Sequence, residues 1–178
     1  MRISFAAALA LSSVFAAPAF AQDKTFEGPR VEAIGGWDSV DGGGESKSGF
    51  VYGGAAGYDL QRGKVVIGVD GEITGSTTRE TLNGVRVKAG RDLYAGARIG
   101  YVVTPETLLY VKGGYTNARV TAETGNVRVS ENLDGFRVGA GVERSFLRNF
   151  YGKVEYRYSN YAQDFQRHQV LAGIGVRF

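Results

Sequence analysis

The residues of this chain that could do chemistry lie close together near its C-terminal end. Ser159, in the run Arg157-Tyr158-Ser159-Asn160, is followed nine positions later by His168, the single histidine of the chain. A serine becomes a nucleophile when a histidine within hydrogen-bond reach takes its proton, and a third group usually orients that base. His168 stands at the start of the next strand, so the expectation is that it could approach Ser159 across the last hairpin. No acid completes the pair, and Arg157, the near neighbour, cannot act as a base at neutral pH because guanidinium keeps its proton. The plainer reading is that Ser159 and Asn160 begin a loop and that His168 caps a strand, so no catalytic residue is assigned. One histidine and no cysteine leave a metal site unsupported. The Gly-x-Gly runs "GAG" and "GIG" lie inside strands rather than at a strand-to-helix junction, so they are packing positions, not phosphate cradles. No cofactor is expected.

The elements that carry these residues are strands. The first 21 residues stand apart. They hold one basic residue, Arg2, an apolar run from Ile3 to about Ala17, and a small-x-small end at Ala19-Phe20-Ala21. This reads as a secretory signal peptide, residues 1–21, cut after Ala21, with Ala19 and Ala21 forming the cleavage site. Residues 22–178 then form one domain. Without Arg2, 20 Lys and Arg face 18 Asp and Glu, a balance too even to argue for nucleic acid. The absence of cysteine excludes disulfides. No run of about 18 apolar residues follows the signal, which excludes a membrane helix but not barrel strands, which cross in about 9–11 residues.

From Arg30 onward the period is two, the period of a strand whose side chains alternate between faces. Eight such segments are read, near 30–38, 50–60, 65–73, 93–103, 109–115, 136–146, 152–161 and 170–178. Short links, "QRGK", "TPET" and "LRN", alternate with long polar ones at about 39–49, 76–90, 117–132 and 160–167. That is an up-and-down meander with turns at one end and loops at the other, the loops expected to be mobile. The expected fold is all-β: an eight-stranded antiparallel up-and-down transmembrane β-barrel.

Alternation alone does not say which face is inside. A soluble barrel buries its apolar face, and a membrane barrel turns it outward. The aromatics decide. On the apolar face Trp37, Phe50, Tyr52, Tyr115, Phe136 and Tyr158 fall at the long-loop ends of their strands. Tyr58, Tyr101, Phe146, Phe150 and Phe178 fall at the short-turn ends. Two aromatic girdles around an aliphatic band suit two bilayer interfaces, whereas a soluble core has no reason to sort aromatics by height. The other face mixes glycines with Glu32, Asp70, Glu72, Arg98, Lys112, Arg137, Glu143, Lys153, Glu155 and Arg157. These ten are expected to face the lumen and pair as an ion network, since unpaired charge in a narrow interior is costly. An eight-stranded barrel is just wide enough for its own side chains, so the network should plug it. Arg144 breaks the pattern by falling on the outward face near the short turns, where it can snorkel to headgroups.

The segments "GGAAGYDLQRGKVVIGVDGE", "DGFRVGAGVE", "GKVEYRYSNY" and the terminal "HQVLAGIGVRF" resemble the small outer-membrane β-barrels of Gram-negative bacteria, the opacity proteins and the OmpA transmembrane domain. The resemblance covers residues 22–178. It implies the Gram-negative outer membrane, turns in the periplasm and loops outside. Its partners would be outer-membrane lipids and lipopolysaccharide, with the barrel-assembly machinery reading Phe178 as the terminal signal; no ligand of the loops is identified. The resemblance implies no single activity, and the expected role is structural, in envelope integrity and surface interaction, rather than enzymatic. A narrow porin-like channel is the rival. A weaker one is a lipid A deacylase, whose "HYSN" resembles "RYSN" here but has histidine where this chain has Arg157.

Overall fold

The computed structural model describes residues 25–42, 45–77, 79–82, 85–124, 127–161 and 165–178, so the proposed signal peptide and its cleavage site at Ala19 and Ala21 lie outside the described residues. Nine strands follow one another: β1 (Gly28–Gly42), β2 (Glu45–Arg62), β3 (Val65–Ser76), β4 (Arg79–Leu82), β5 (Val85–Thr104), β6 (Thr107–Thr124), β7 (Val127–Ser145), β8 (Phe150–Tyr161) and β9 (Phe165–Arg177). They build eight walls, because β3 and β4 both pair with β5 and together make one wall with an interruption. Every neighbour is antiparallel, and β1 pairs with β9 from Arg30↔Arg177 to Asp41↔Gln166. That seam closes the sheet, which removes the free edges that lipid cannot satisfy.

The long links at 39–49, 76–90, 117–132 and 160–167 are corrected by the structure. Most of their residues are strand, and the ladders run to Gly42↔Glu45, Leu82↔Val85, Thr124↔Val127 and Tyr161↔Phe165. The reason is physical. Apolar alternation reports what a strand's face touches, and it stops where the face leaves lipid. The hydrogen-bond ladder does not need lipid and continues into water as long as the hairpin holds its register. The strands of 18–20 residues at β2, β5, β6 and β7 therefore exceed the span that a bilayer requires. Two irregularities interrupt the ladder of β5 with β6: an extra β5 residue lies between Ala89 and Asp92 and another between Val102 and Thr104, each the pattern of a bulge.

The short links are turns as read. Gly63 adopts φ +59° in the two-residue connection from β2 to β3, a left-handed position at which a side chain is strained. At this end the chain also seals itself. Phe26, just before β1, is fully buried against Val66, Val102 and Leu108, all of which point inward. Its amide donates to Gln61 Oε1 at 3.0 Å, and the Arg177 guanidinium lies 5.5 Å from its ring. Phe26→Ala is expected to weaken this seal by about 1.5–3 kcal/mol, the worth of burying one large apolar side chain. Faster proteolytic trimming of the N-terminal segment, with the barrel itself intact, is the observable.

Candidate functional site: the charged interior and the aromatic rims

Each wall turns one parity of its residues inward. In β8 the burial alternates from Tyr151 through Lys153, Glu155, Arg157 and Ser159 to Tyr161, while Val154 and Tyr156 are exposed. Glu32, Asp70, Glu72, Arg98, Lys112, Arg137, Glu143, Lys153, Glu155 and Arg157 all lie inside the barrel and are buried. They are joined there by Arg30, Asp38, Asp59, Asp92, Arg167 and Arg177. Among the described residues the buried charges are thus eight cations (Arg30, Arg98, Lys112, Arg137, Lys153, Arg157, Arg167, Arg177) and eight anions (Glu32, Asp38, Asp59, Asp70, Glu72, Asp92, Glu143, Glu155).

The pairs form three connected tiers. Nearest the short turns, Asp59 is shared by three arginines: Arg30 Nε donates to it at 2.9 Å, Arg98 Nη2 at 2.6 Å and Arg177 Nη2 at 2.9 Å. Arg98 and Arg177 also reach Glu143, at 3.0 and 2.8 Å, and Arg30 pairs with Asp70. In the middle, Lys153 bridges Glu32 at 2.8 Å and Glu155 at 3.4 Å. Lys112 pairs with Glu72 and lies 3.3 Å from Glu155, while Arg157 joins Glu155 and holds Glu72 at 2.9 Å. The Tyr110 hydroxyl donates to Glu155 at 2.5 Å. Towards the long hairpins, Arg137 meets Asp92 at 2.6 Å, and Arg167 spans Asp92 at 3.2 Å and Asp38, to which its Nε donates at 2.7 Å. Because each buried ion costs several kcal/mol to desolvate, only such sharing, with several partners per charge, makes the arrangement tolerable.

Arg30, Asp38 and Asp59 have the inward parity in the sequence, so the alternation itself could have found them. Asp92, Arg167 and Arg177 lie just past the read strands or at their ends, and their signal was lost with the strand boundaries. The tyrosines Tyr94, Tyr110 and Tyr151 also face inward, each over a glycine. A Cβ at Gly141 would stand 2.7 Å from the Tyr110 ring, and one at Gly175 would stand 2.5 Å from that of Tyr151. These inward glycines make room for rings as well as for the charged chains.

Ser159 and His168 do not meet. Ser159 points into the lumen, is fully buried, and its Oγ accepts from Arg137 Nε at 2.8 Å. His168 has the outward parity of β9, beside Tyr156 and Tyr158: its Nδ1 is 2.7 Å from the Tyr156 hydroxyl, and its ring centroid is 5.1 Å from that of Tyr158. In an antiparallel pair, Tyr158 rather than Ser159 is the partner of His168. The expected approach across the hairpin is therefore corrected: the wall of the barrel separates the two side chains.

On the outer surface, Trp37, Phe50, Tyr52, Tyr115 and Phe136 are exposed towards the long hairpins, and Tyr158 is half-buried beneath His168. Tyr58, Tyr101, Phe146, Phe150 and Phe178 are exposed towards the short turns. Between them lies an aliphatic band that includes Ile67, Val69, Ile99, Val111, Val154 and Ile174. Trp37 and Phe50 pair edge to face at 6.0 Å. Arg144, outward as read, lies 3.8 Å from Glu106 and is exposed.

Comparison with known proteins agrees with this geometry. A 25 kDa outer-membrane immunogenic protein of Brucella ovis is 31% identical over 123 residues, covering 69% of this chain and 61% of the relative. A 22 kDa outer membrane protein of Rhizobium leguminosarum bv. viciae is 31% identical over 134 residues, covering 68% of this chain and 63% of its own length. The matches thus span about three-fifths of those relatives. Among solved structures, Neisserial surface protein A superposes with a TM-score of 0.67 at 17% identity, covering 84% of this chain and 97% of its own. Ail, the attachment invasion locus protein of Yersinia pestis, gives 0.66 at 18% identity, covering 85% and 99%. At such identities these two speak for the fold alone. Residues 7–178 match the outer membrane protein beta-barrel domain family, and the chain belongs to that family as a barrel of the Gram-negative outer membrane.

Proposed function

We propose that this protein is a structural barrel of the outer membrane: its interior is a closed, charge-compensated core, and it acts through envelope stability and through the hairpin ends that it presents at the cell surface. The observation that carries this reading is the balance, among the described residues, of eight buried cations against eight buried anions, linked in three tiers along the barrel. A lumen of eight strands has room for little beyond these side chains. The naming of relatives as immunogenic proteins supports exposure of the hairpins. No catalytic role is assigned to Ser159, whose hydroxyl serves Arg137 on the far side of the wall from His168.

Planar-bilayer recording with the purified protein tests the closed core. The expected result is no stable conductance step above baseline. Large, long-lived openings of uniform size would replace this reading with that of a narrow channel.

A further inference from the structure

The segment that precedes β1 does not continue its wall. β1 begins at Gly28, and residues 25–27 leave the seam and fold in across the short-turn mouth. Gly28 makes this possible. Its φ is +118°, and a Cβ there would overlap the carbonyl oxygen of Phe178. A side chain at this position would be strained twice, by the backbone conformation and by the close approach. The Phe178 amide donates to the Pro29 carbonyl at 2.9 Å, so this strap leaves β1 directly over the end of β9.

Phe26 reaches Val66 of β3, Val102 of β5 and Leu108 of β6, and all four are buried. β6 stands four walls from β1 in either direction round the barrel, so the strap spans the mouth. Polar contacts fix it at both edges. Gln61 of β2 accepts from the Phe26 amide at 3.0 Å through Oε1, and its own amide donates to Glu27 Oε2 at 3.0 Å. Arg177 of β9 donates to the Thr25 carbonyl at 3.4 Å. The same guanidinium lies against two rings, 5.5 Å from Phe26 and 5.0 Å from Tyr151, and holds Asp59 at 2.9 Å and Glu143 at 2.8 Å. The strap is thus tied at once to the last strand of the seam, to the opposite wall and to the lower tier of ions.

We propose that residues 25–27 form a clasp: they seat after the barrel has closed and hold the β1–β9 seam shut, slowing its opening without guiding its formation. Two observations order these events. Phe26 is fully buried, and an open sheet has no mouth to surround it. Arg177, its partner on β9, comes within reach only when β9 pairs with β1 at Arg30↔Arg177. Ordering three residues of free chain is unfavourable. The buried ring, the cation–π contact and the hydrogen bonds offset that cost. Contacts made after the transition state slow unfolding and leave the folding rate alone. The proposal concerns how the seam opens, whereas the conductance test concerns the lumen, so either can fail alone.

The test follows folding and unfolding of the full barrel in lipid vesicles after urea jumps, read by the fluorescence of Trp37, the single tryptophan. Phe26→Ala is expected to unfold about ten- to a hundredfold faster, the rate equivalent of losing one large buried apolar side chain, with its folding rate unchanged. Gln61→Ala should act in the same direction more weakly, and it carries the test if Phe26→Ala does not assemble. Arg62→Gln, exposed in the same turn, should change neither rate. In the folded variants, hydrogen–deuterium exchange should rise at the lower end of the seam, 30–35 and 172–177, and stay level in the β7–β8 wall. The proposal is overturned if Phe26→Ala unfolds at the parent's rate, or if it slows folding as much as it speeds unfolding, which would make the strap part of the folding nucleus. It is equally overturned if exchange rises evenly around the barrel, because the strap would then be general packing rather than a clasp on the seam.

Discussion

Asp59→Ala is expected to destabilise the barrel by about 3–5 kcal/mol, the cost of removing one partner from a buried ion pair. Asp59 is fully buried and accepts from Arg30, Arg98 and Arg177 at once. Its loss leaves three guanidinium groups around a space with no compensating charge. Arg98 and Arg177 retain Glu143, and Arg30 retains Glu32 and Asp70, so the lower tier is weakened rather than emptied. Urea titration of folding into lipid vesicles measures the change. A second variant separates charge imbalance from lost packing: Asp59→Ala combined with Arg98→Met removes one charge of each sign and should recover part of the loss. If Asp59→Ala unfolds at the parent's urea midpoint, the interior is hydrated enough to screen its charges, and the picture of a dry ion network fails.

Val154→Arg is expected to cost about 2–4 kcal/mol in the same titration, the range for a basic side chain on the lipid face near the bilayer midplane. Val154 is exposed and lies four residues from Phe150 at one girdle and four from Tyr158 at the other. From that height a guanidinium cannot easily snorkel to either interface. The neighbouring substitution gives the contrast. Val138→Arg, on β7 beside Tyr158 and two residues from Phe136 of the upper girdle, should cost less, because the penalty falls towards the interface. Equal costs at the two heights would mean that this face does not cross a bilayer.

Much of the fold could be read in the alternation of particular residues. The parity of Lys153, Glu155 and Arg157 against Val154, Tyr156 and Tyr158 separates inside from outside, and the structure keeps that parity in every wall. The aromatic sorting, Trp37 and Phe50 at one height and Phe146 and Phe178 at the other, carries the orientation. The hairpin extensions were not readable in this way, because segments such as 117–124 and 127–132 carry no regular alternation of large apolar residues in the sequence and yet keep the ladder. Phe26 was also missed: a lone aromatic outside any periodic segment carries no signal until the closed barrel supplies a mouth for it to fill.

The candidate site divides along the same line. Which residues point inward is a local property, since a strand's period of two is set by backbone geometry, and the sequence alone determined it. Which charge meets which is not local. Arg167 and Asp38 are 129 residues apart in sequence, and Lys153 and Glu32 are 121 apart. They meet only because β1 closes onto β9, and the register of that seam brings distant walls to the same height. The same seam and its neighbour place Ser159 and His168 on opposite sides of the sheet, which nine residues of spacing could not reveal. Composition and period determined a membrane barrel with a charged interior; closure and register decided the partners within it.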